Sequence, residues 1–169
     1  MNEGERYFFE IESPIGKLLL VGTDAALTHI GFQSGPRPMS VDPRWKESEA
    51  PFADIRLQLD RYFVGKLREF TVPLAAEGTA FQSEVWRALR EIPYGETTSY
   101  GELAARIGNP KASRAVGAAN GKNPIPIVVP CHRVIGRTGS MTGFGGGIPI
   151  KEALLTLERY HAGSQMEFA

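Results

Sequence analysis

The residues best suited to chemistry lie together near position 131, where the chain has its single cysteine. The run PCHRV at 130–134 places Cys131 directly before His132 and Arg133. A thiol must lose its proton before it attacks an electrophile, and a neighbouring base or cation lowers the free-energy cost of that ionisation. Cys131 is therefore a candidate nucleophile, and His132 is its candidate general base.

Two considerations leave the reactivity of Cys131 open at this point. Adjacent residues of an extended strand point to opposite faces, so a bridging water or a bend in the chain is needed to bring His132 to the sulfur. A lone cysteine after a β-branched run is also commonly a small buried hydrophobic residue. The flanking residues favour a site, because Asn123 and Pro124 precede it and the glycine-rich residues 143–147 follow, where backbone can approach a ligand closely.

The formal net charge of zero hides an uneven distribution of charge. Residues 1–102 contain 11 Lys or Arg and 16 Asp or Glu, whereas residues 103–151 contain seven basic residues and no acidic one. A basic segment of this kind is typical of a protein that binds a polyanion, because each neutralised phosphate releases condensed counterions. A solvated basic face is the alternative.

Composition excludes several classes of protein. The chain has 169 residues, 42% hydrophobic and 22% charged, which is typical of a globular protein with one or two small domains. No apolar run is long enough to span a bilayer and the first residues do not resemble a signal peptide, so we expect a cytoplasmic protein with no membrane partner. One cysteine cannot form an intramolecular disulfide, and the histidines His29, His132 and His161 lack the spacing of zinc ligands, so we expect no metal.

The elements that hold these residues divide into two parts. Alternating apolar residues and turn signals predict an antiparallel meander of three strands, at 7–11, 17–21 and 26–32. Helical spacing of apolar residues follows at 52–63, and Gly65 ends that helix. We expect a first domain at 1–76.

The second part is predicted to be mainly helical. Thr79 is a candidate N-cap of a helix with Trp86 on its apolar face, and we interpret Trp86 as a core residue. Ser99 is predicted to cap a helix at 100–107, which a glycine-containing turn joins to a second short helix at 112–121. This is the outline of a helix-turn-helix.

The helix at 112–121 has a face of small residues, which allows a close approach either to DNA or to another helix. A last helix is expected from Pro149 to about Tyr160, with Ala153, Leu154 and Leu157 inward. We therefore expect a second domain at 77–162 and a frayed tail at 163–169.

Five motifs together resemble the O6-alkylguanine-DNA alkyltransferase family, the methylated-DNA–protein-cysteine methyltransferases. They are RAVG at 114–117, NP at 123–124, PCHRV at 130–134, the glycine cluster at 143–147 and KEALLTLE at 151–158. The runs SPIG at 13–16 and FQSEVW at 81–86 extend the resemblance over nearly the whole chain. It implies an α+β fold, with a ribonuclease H-like N-terminal domain of a three-stranded antiparallel sheet and a helix, and a winged-helix-like C-terminal domain with a helix-turn-helix.

The resemblance implies DNA repair by direct reversal. An alkyl group, typically methyl, would pass from O6-alkylguanine, and from O4-alkylthymine, in duplex DNA to Cys131. The damaged base must leave the stack because the alkyl carbon is out of reach inside the duplex. The thioether product does not leave, so each molecule would act once and without a cofactor. The free protein is expected to be monomeric, and cooperative assembly on DNA is left open.

The resemblance also implies roles for individual residues. Glu158 would hold the second nitrogen of His132, Asn123 would order the active-site turn, and Tyr100 would assist proton donation to the leaving base. Arg114 would fill the space left in the duplex, and the carbonyls of Cys131 and Val134 would read guanine. The predicted DNA-binding residues are Tyr100, Asn109, Arg114, Asn120, Lys122 and Arg137. The predicted substrate pocket comprises Cys131, Val134, Phe144, Gly145 and Gly146.

The chain departs from the family pattern at two pocket positions. Phe144 stands where many relatives have tyrosine, and Gly145 stands where a serine occurs, so hydroxyl contacts are missing and pocket size and rate are affected. The cysteines of the zinc site that some members carry in the N-terminal part are absent. Two alternatives remain, a helix-turn-helix module that only binds and a Cys/His hydrolase that turns over a small ester or amide. The family's non-reactive binders lack the cysteine, and Cys131 argues against the first alternative.

Overall fold

The structure, a computed structural model of the chain, describes residues 4–139, 141 and 143–163. Its N-terminal region is built on the predicted meander, whose strands pair antiparallel in sequence order. These strands are β1 (Tyr7–Ile11), β2 (Leu18–Gly22) and β3 (Leu27–Phe32). The turn between β1 and β2 closes with a hydrogen bond from the Gly16 amide to the Ser13 carbonyl, and Gly16 has a φ of 100° that favours glycine.

A short fourth strand, β4 (Lys46–Glu47), was not predicted. It pairs parallel with β1, which gives the strand order β3-β2-β1-β4. Both residues of β4 are charged and exposed, so this strand has no alternating apolar pattern by which sequence could reveal it.

Helix α1 (Ala53–Phe63) confirms the predicted N-terminal helix. Its buried apolar face includes Ile55, Leu59 and Tyr62, at helical spacing. Gly65 follows with a φ of 78°, a conformation that ends the helix. Tyr62 is fully buried and points toward the C-terminal region, as described below.

Four helices build the C-terminal region, and local capping explains where two of them begin. They are α2 (Ala80–Leu89), α3 (Tyr100–Arg106), α4 (Ser113–Gly121) and α5 (Ile148–Gly163). Thr79 forms a capping box with Gln82, because each side chain accepts a hydrogen bond from the other residue's amide. The Ser99 hydroxyl accepts from the Glu102 amide at 3.1 Å. Both predicted N-caps are confirmed.

Helices α3 and α4 form the predicted helix-turn-helix. The turn between them contains Gly108 at a φ of 80°. Trp86 on α2 is buried, and its indole N–H donates to the Ala119 carbonyl of α4 at 2.9 Å. Trp86 is therefore a core residue, as predicted, and the small side chain of Ala119 lets α2 and α4 pack closely.

The segment around the cysteine differs from the extended strand considered above. Cys131–Arg133 is a 3-10 turn, and only the next two residues form a strand, β6 (Val134–Ile135). Strand β6 pairs parallel with β5 (Thr98–Ser99), which directly precedes α3. The pairing ties the cysteine segment to the start of the helix-turn-helix.

The inward face of α5 was predicted correctly only in part. Ala153 is exposed and Leu157 is only partly buried, whereas Lys151, Leu155 and Glu158 are buried together with Leu154. Helical spacing of apolar residues did not indicate the two buried charged side chains of this face, of which only Glu158 was implied, by the resemblance. Gly163 belongs to α5, and the rest of the predicted tail, 164–169, lies outside the described residues.

Both regions contribute to one hydrophobic cluster. It joins residues of the N-terminal strands and α1, such as Leu20 and Leu59, to residues of the C-terminal region, such as Leu103 and Leu154. Within the described part of the chain, no helix has both the length and the apolar character required to cross a membrane.

Candidate active site

Cys131 lies at the start of the 3-10 turn with only 5% of its surface exposed. The preceding loop is ordered by Asn123, whose side-chain amide donates to the Val129 carbonyl at 2.8 Å and whose carbonyl accepts from the Ile125 amide at 3.0 Å. Asn123 therefore lies where an active-site turn would need it.

The same loop contains a strained residue. Ile127 has a φ of 74°, in the left-handed region that β-branched side chains rarely occupy, and its side chain is 1% exposed. Such a conformation persists only where the surrounding packing enforces it. The backbone leading to Cys131 is thus held by packing as well as by the hydrogen bonds of Asn123.

His132 pairs with Glu158 inside the protein. The His132 Nε2 and Glu158 Oε2 atoms are 2.6 Å apart, and neither side chain is exposed. Arg133 completes the ion pair by donating from Nε to Oε1 at 2.8 Å and from Nη2 to Oε2 at 3.1 Å. The structure therefore brings together the cysteine segment and α5, as the resemblance implied.

Two further groups donate to the same carboxylate. The Tyr62 hydroxyl donates to Oε2 at 2.6 Å, and the Gly95 amide donates to Oε1 at 3.3 Å. Burial raises the pKa of Glu158, but the hydrogen bonds and charges of His132 and Arg133 outweigh it and hold the pKa well below its usual range. Glu158 is therefore ionised at neutral pH.

The protonation state of His132 follows from its surroundings. Burial lowers the pKa of His132, and the favourable interaction with Glu158 offsets this only in part. The neutral ring carries its proton on Nε2, which donates to Glu158, so Nδ1 has a free lone pair. This buried Nδ1 has no hydrogen-bond partner among the described residues, which suits it to accept a proton.

Cys131 itself is not activated in this conformation. Burial raises the pKa of the Cys131 thiol to about 11, although the Asn123 side chain and the Lys151 charge act in the opposite direction. At neutral pH the sulfur therefore keeps its proton. A base that removes the proton during the reaction is needed, and the unpartnered nitrogen of the next residue is the nearest such group in sequence.

Lys151 is a buried cation beside the cysteine. Its side chain has no exposed surface, and its ammonium donates to the Val134 carbonyl at 2.7 Å. Burial lowers the pKa of Lys151, and Cys131 partly counteracts this. One lone pair of the carbonyl predicted to read guanine is therefore already used.

Asn120 is placed differently from its predicted role in DNA binding. It lies on the buried face of α4, with 4% of its surface exposed, and its amide nitrogen approaches the Cys131 carbonyl at 3.4 Å. The helical period turns Asn120 inward together with Val116 and Ala119. A direct contact with DNA does not fit this placement.

The remaining predicted DNA contacts lie on the surface. Arg114 is exposed in the first turn of α4, and Asn109, Lys122 and Arg137 are exposed as well. Tyr100, at the start of α3, is partly buried, and a side chain added at Gly117 would lie 3.7 Å from its ring.

The glycine cluster packs against the N-terminal region. The rings of Phe144 and Phe32 have centroids 5.5 Å apart, and a side chain at Gly146 would collide with both rings. Gly145 is exposed, and a side chain there would meet no atom within 4 Å. The two neighbouring glycines thus have opposite surroundings.

Sequence reasoning did not assign three residues that the structure brings to the site. Tyr62 lies on the apolar face of α1 and looked like any other core residue. Arg133 was considered only as a nearby cation, and Lys151 only as part of a motif. Lys151 could have been identified from sequence, because helical spacing places it on the same face of α5 as Leu154 and Glu158. Among the described residues, no group of three or more His, Cys, Asp or Glu side chains is arranged to hold a metal ion.

Comparison with known proteins places this geometry in a family. Residues 7–76 match the family model described as "6-O-methylguanine DNA methyltransferase, ribonuclease-like domain", and residues 80–160 match the DNA binding domain of the same family. The chain is 55% identical over 152 residues to a methylated-DNA–protein-cysteine methyltransferase of Methanosarcina acetivorans, covering 90% of this chain and 97% of that protein. It is 49% identical to the protein of that name in Haemophilus influenzae, covering 90% and 86%.

A solved structure agrees in fold. The crystal structure of Mycobacterium tuberculosis OGT in complex with DNA superposes with a TM-score of 0.86 at 50% identity, covering 92% of this chain and 94% of the other. With both halves matched by family models and relatives covered over nearly their whole length, this chain belongs to the 6-O-methylguanine DNA methyltransferase family.

Proposed function

We propose that this protein repairs DNA by accepting an alkyl group from the O6 position of guanine in duplex DNA on the sulfur of Cys131. The observation that carries the proposal is the buried arrangement of the single cysteine beside a neutral His132, whose Nδ1 is unpartnered among the described residues and whose Nε2 lies 2.6 Å from Glu158. This arrangement supplies a nucleophile, a base and an orienting carboxylate.

The transfer step is a displacement at the alkyl carbon. The proton of the Cys131 thiol passes to His132 Nδ1 by way of a bridging water molecule. The sulfur forms a bond to the alkyl carbon, the bond from that carbon to O6 breaks, and guanine leaves with the electron pair. The departing base then takes up a proton, and Tyr100 is the predicted donor.

DNA binding is assigned to the helix-turn-helix of α3 and α4. The exposed side chains of Arg114, Lys122 and Arg137 suit contacts with phosphates or with the opened base stack. The damaged base must leave the stack to reach Cys131, at a cost of a few kcal/mol that is smallest for a poorly paired lesion. We assign Arg114, in the first turn of α4, to the space that the base vacates.

The proposal extends to substrates and assembly. O4-alkylthymine is a second substrate, alkyl groups larger than methyl are admitted according to the room around Gly145, and the free protein is monomeric. The division into domains at 1–76 and 77–162 accompanies this proposal, with Cys131 and the helix-turn-helix both in the second. No cofactor enters the reaction, because the DNA carries the group that is transferred.

Stoichiometry tests the proposed reaction. The substrate is duplex DNA containing O6-methylguanine with a labelled methyl group. Each protein molecule should take up one labelled methyl group and then stop reacting, because a thioether is a poor leaving group. Continued release of product beyond one equivalent would exclude a single-use acceptor. Turnover of a small ester or amide without any labelling would instead support the hydrolase alternative.

A further inference from the structure

Tyr62 connects the N-terminal region to the candidate active site. It lies on α1, is fully buried, and stands 96 positions before Glu158 in the chain. Its hydroxyl donates to Glu158 Oε2 at 2.6 Å, the same oxygen that lies 2.6 Å from His132 Nε2. One carboxylate oxygen therefore serves both the candidate base and a residue of the first region.

We infer that Tyr62 is a positioning residue for the transfer reaction, one that limits the basicity of His132 by donating to the oxygen that His132 also uses. This inference rests on the function proposed above. The phenol can only donate here, because its partner is an ionised carboxylate with no proton to give. A charge-assisted hydrogen bond of this length draws negative charge away from Oε2.

The sign of the effect follows from that competition. A protonated His132 is stabilised by negative charge on Glu158, so any group that withdraws this charge makes the ring less basic. Tyr62, Arg133 and the Gly95 amide all act in this direction. A less basic His132 stays neutral at a lower pH and keeps the Nδ1 lone pair available for the thiol proton.

Other groups around His132 and Glu158 do not replace Tyr62. The titratable and charged groups that face this cluster are Tyr62 from α1, Tyr94 from the loop before β5, Cys131 and Arg133 from the 3-10 turn, and Lys151 from α5. Arg68 lies farther out, with its guanidinium 4.9 Å from the centroid of the Tyr94 ring. Of the two tyrosines, only Tyr62 hydrogen-bonds to the carboxylate within the described part of the chain.

Tyr94 provides a matched control for a Tyr→Phe substitution. Its ring contacts the Tyr62 ring edge-on, with centroids 6.1 Å apart. Its hydroxyl is buried but has no hydrogen-bond partner among the described residues. Tyr94→Phe therefore removes the same atom from the same neighbourhood and leaves the hydrogen bonds of Glu158 intact.

The test is the titration of His132, followed by NMR of protein labelled with ¹⁵N in its three histidines. Tyr62→Phe should move the His132 titration upward by about 0.5 to 1 pH unit. The acidic limb of the transfer rate on free O6-benzylguanine should move by the same amount. Tyr94→Phe should move neither, and His29 on β3 should titrate unchanged in both variants.

An unchanged His132 titration in a folded Tyr62→Phe protein would overturn the inference and leave Tyr62 a purely structural residue, as would an equal shift in Tyr94→Phe. If Tyr62→Phe does not fold, replacing all five tyrosines by 3-fluorotyrosine supplies the test. Its more acidic phenol donates more strongly, so the His132 titration should fall, and no change or a rise would contradict the inference. The titration needs no alkyl transfer, so a protein that accepts no methyl group would refute the proposed function while this measurement still decides the role of Tyr62.

Discussion

At the scale of single residues, the site combines a buried, protonated thiol with a histidine prepared to receive its proton. Cys131 and His132 are consecutive, and a motif of five residues was enough to nominate both from sequence. The pairing of His132 with Glu158 was implied by the family motif, whereas the contacts of Lys151 from α5 and of Tyr62 from α1 were beyond sequence. Tyr62 lies 96 positions before Glu158, so no local pattern indicates that the two side chains meet.

The raised pKa of Cys131 predicts a dependence of stability on pH. A thiol with a pKa of about 11 in the folded state, against an ordinary 9.0, keeps its proton in the folded protein while the unfolded chain ionises. The free energy of unfolding should therefore fall as pH rises from about 9 to about 11, by up to ~3 kcal/mol for two units. The measurement is chemical denaturation of the parent and of Cys131→Ala across this window. A difference between the two proteins that does not change with pH would contradict the shift.

Substitution of Glu158 is expected to lower both the stability of the protein and the rate of alkyl transfer. Glu158→Gln leaves the buried Arg133 guanidinium without its anionic partner, which costs about 3–5 kcal/mol of stability. It also removes the charge that supports His132 as a base, so the rate of transfer should fall about 10²- to 10⁴-fold. Both are measured at a temperature where the variant is folded, with Glu152→Gln on the exposed side of α5 as control. A folded variant that reacts at the parental rate would show that Glu158 has no part in the chemistry.

At the scale of elements, local rules predicted what local residues decide. The N-caps Thr79 and Ser99 and the stop at Gly65 lie where sequence indicated them, because each depends on neighbours within a few positions. The 3-10 turn at Cys131–Arg133 and the positive φ of Ile127 depend instead on packing and on the Asn123 hydrogen bonds, and were not predicted. The inward turn of Asn120 was missed for a related reason, since a polar residue on a basic helix suggested an outward one.

Two exposed residues of the α4 region, Arg114 and Lys122, are expected to contact DNA in different ways. If Arg114 enters the space of the extruded base, Arg114→Ala should slow transfer from duplex DNA far more than transfer from free O6-benzylguanine, which has no stack to leave. Lys122 is also exposed, at the end of α4. Lys122→Ala should weaken binding to all DNA sequences alike and reduce the slope of log affinity against log salt concentration by about one. The two transfer rates and the binding affinity are measured for each variant. Equal impairment of Arg114→Ala on both substrates would assign the arginine to the fold or the pocket.

At the scale of the whole molecule, the N-terminal region does more than cover the core. Through Tyr62 it reaches Glu158, and through Phe32 it supports the glycine cluster. Neither contact is visible in sequence, because each joins residues about a hundred positions apart in elements whose apolar faces look ordinary. The fold class and the reactive segment were predictable from motifs, whereas the packing of the two regions around the site was not.

Two neighbouring substitutions in the glycine cluster test whether it packs against the N-terminal region. A side chain at Gly146 would come within 2.7 Å of the Phe32 ring and 2.9 Å of the Phe144 ring, so Gly146→Ala should destabilise the protein by about 1–3 kcal/mol. Gly145→Ala meets no atom within 4 Å and should change stability by no more than about 0.5 kcal/mol. Thermal unfolding of both variants decides the matter. Equal effects would mean that the cluster does not rest on the N-terminal region as described.

If Cys131 receives the alkyl group, the mass of the peptide that contains it must increase. The protein is incubated with duplex DNA containing O6-methylguanine, digested and analysed by mass spectrometry, beside Cys131→Ser and a sample with undamaged DNA. One added methyl group is expected on the peptide that contains Cys131, in the parent protein with damaged DNA and in neither control. A methyl group on any other residue, or repaired DNA with an unmodified Cys131, would contradict it.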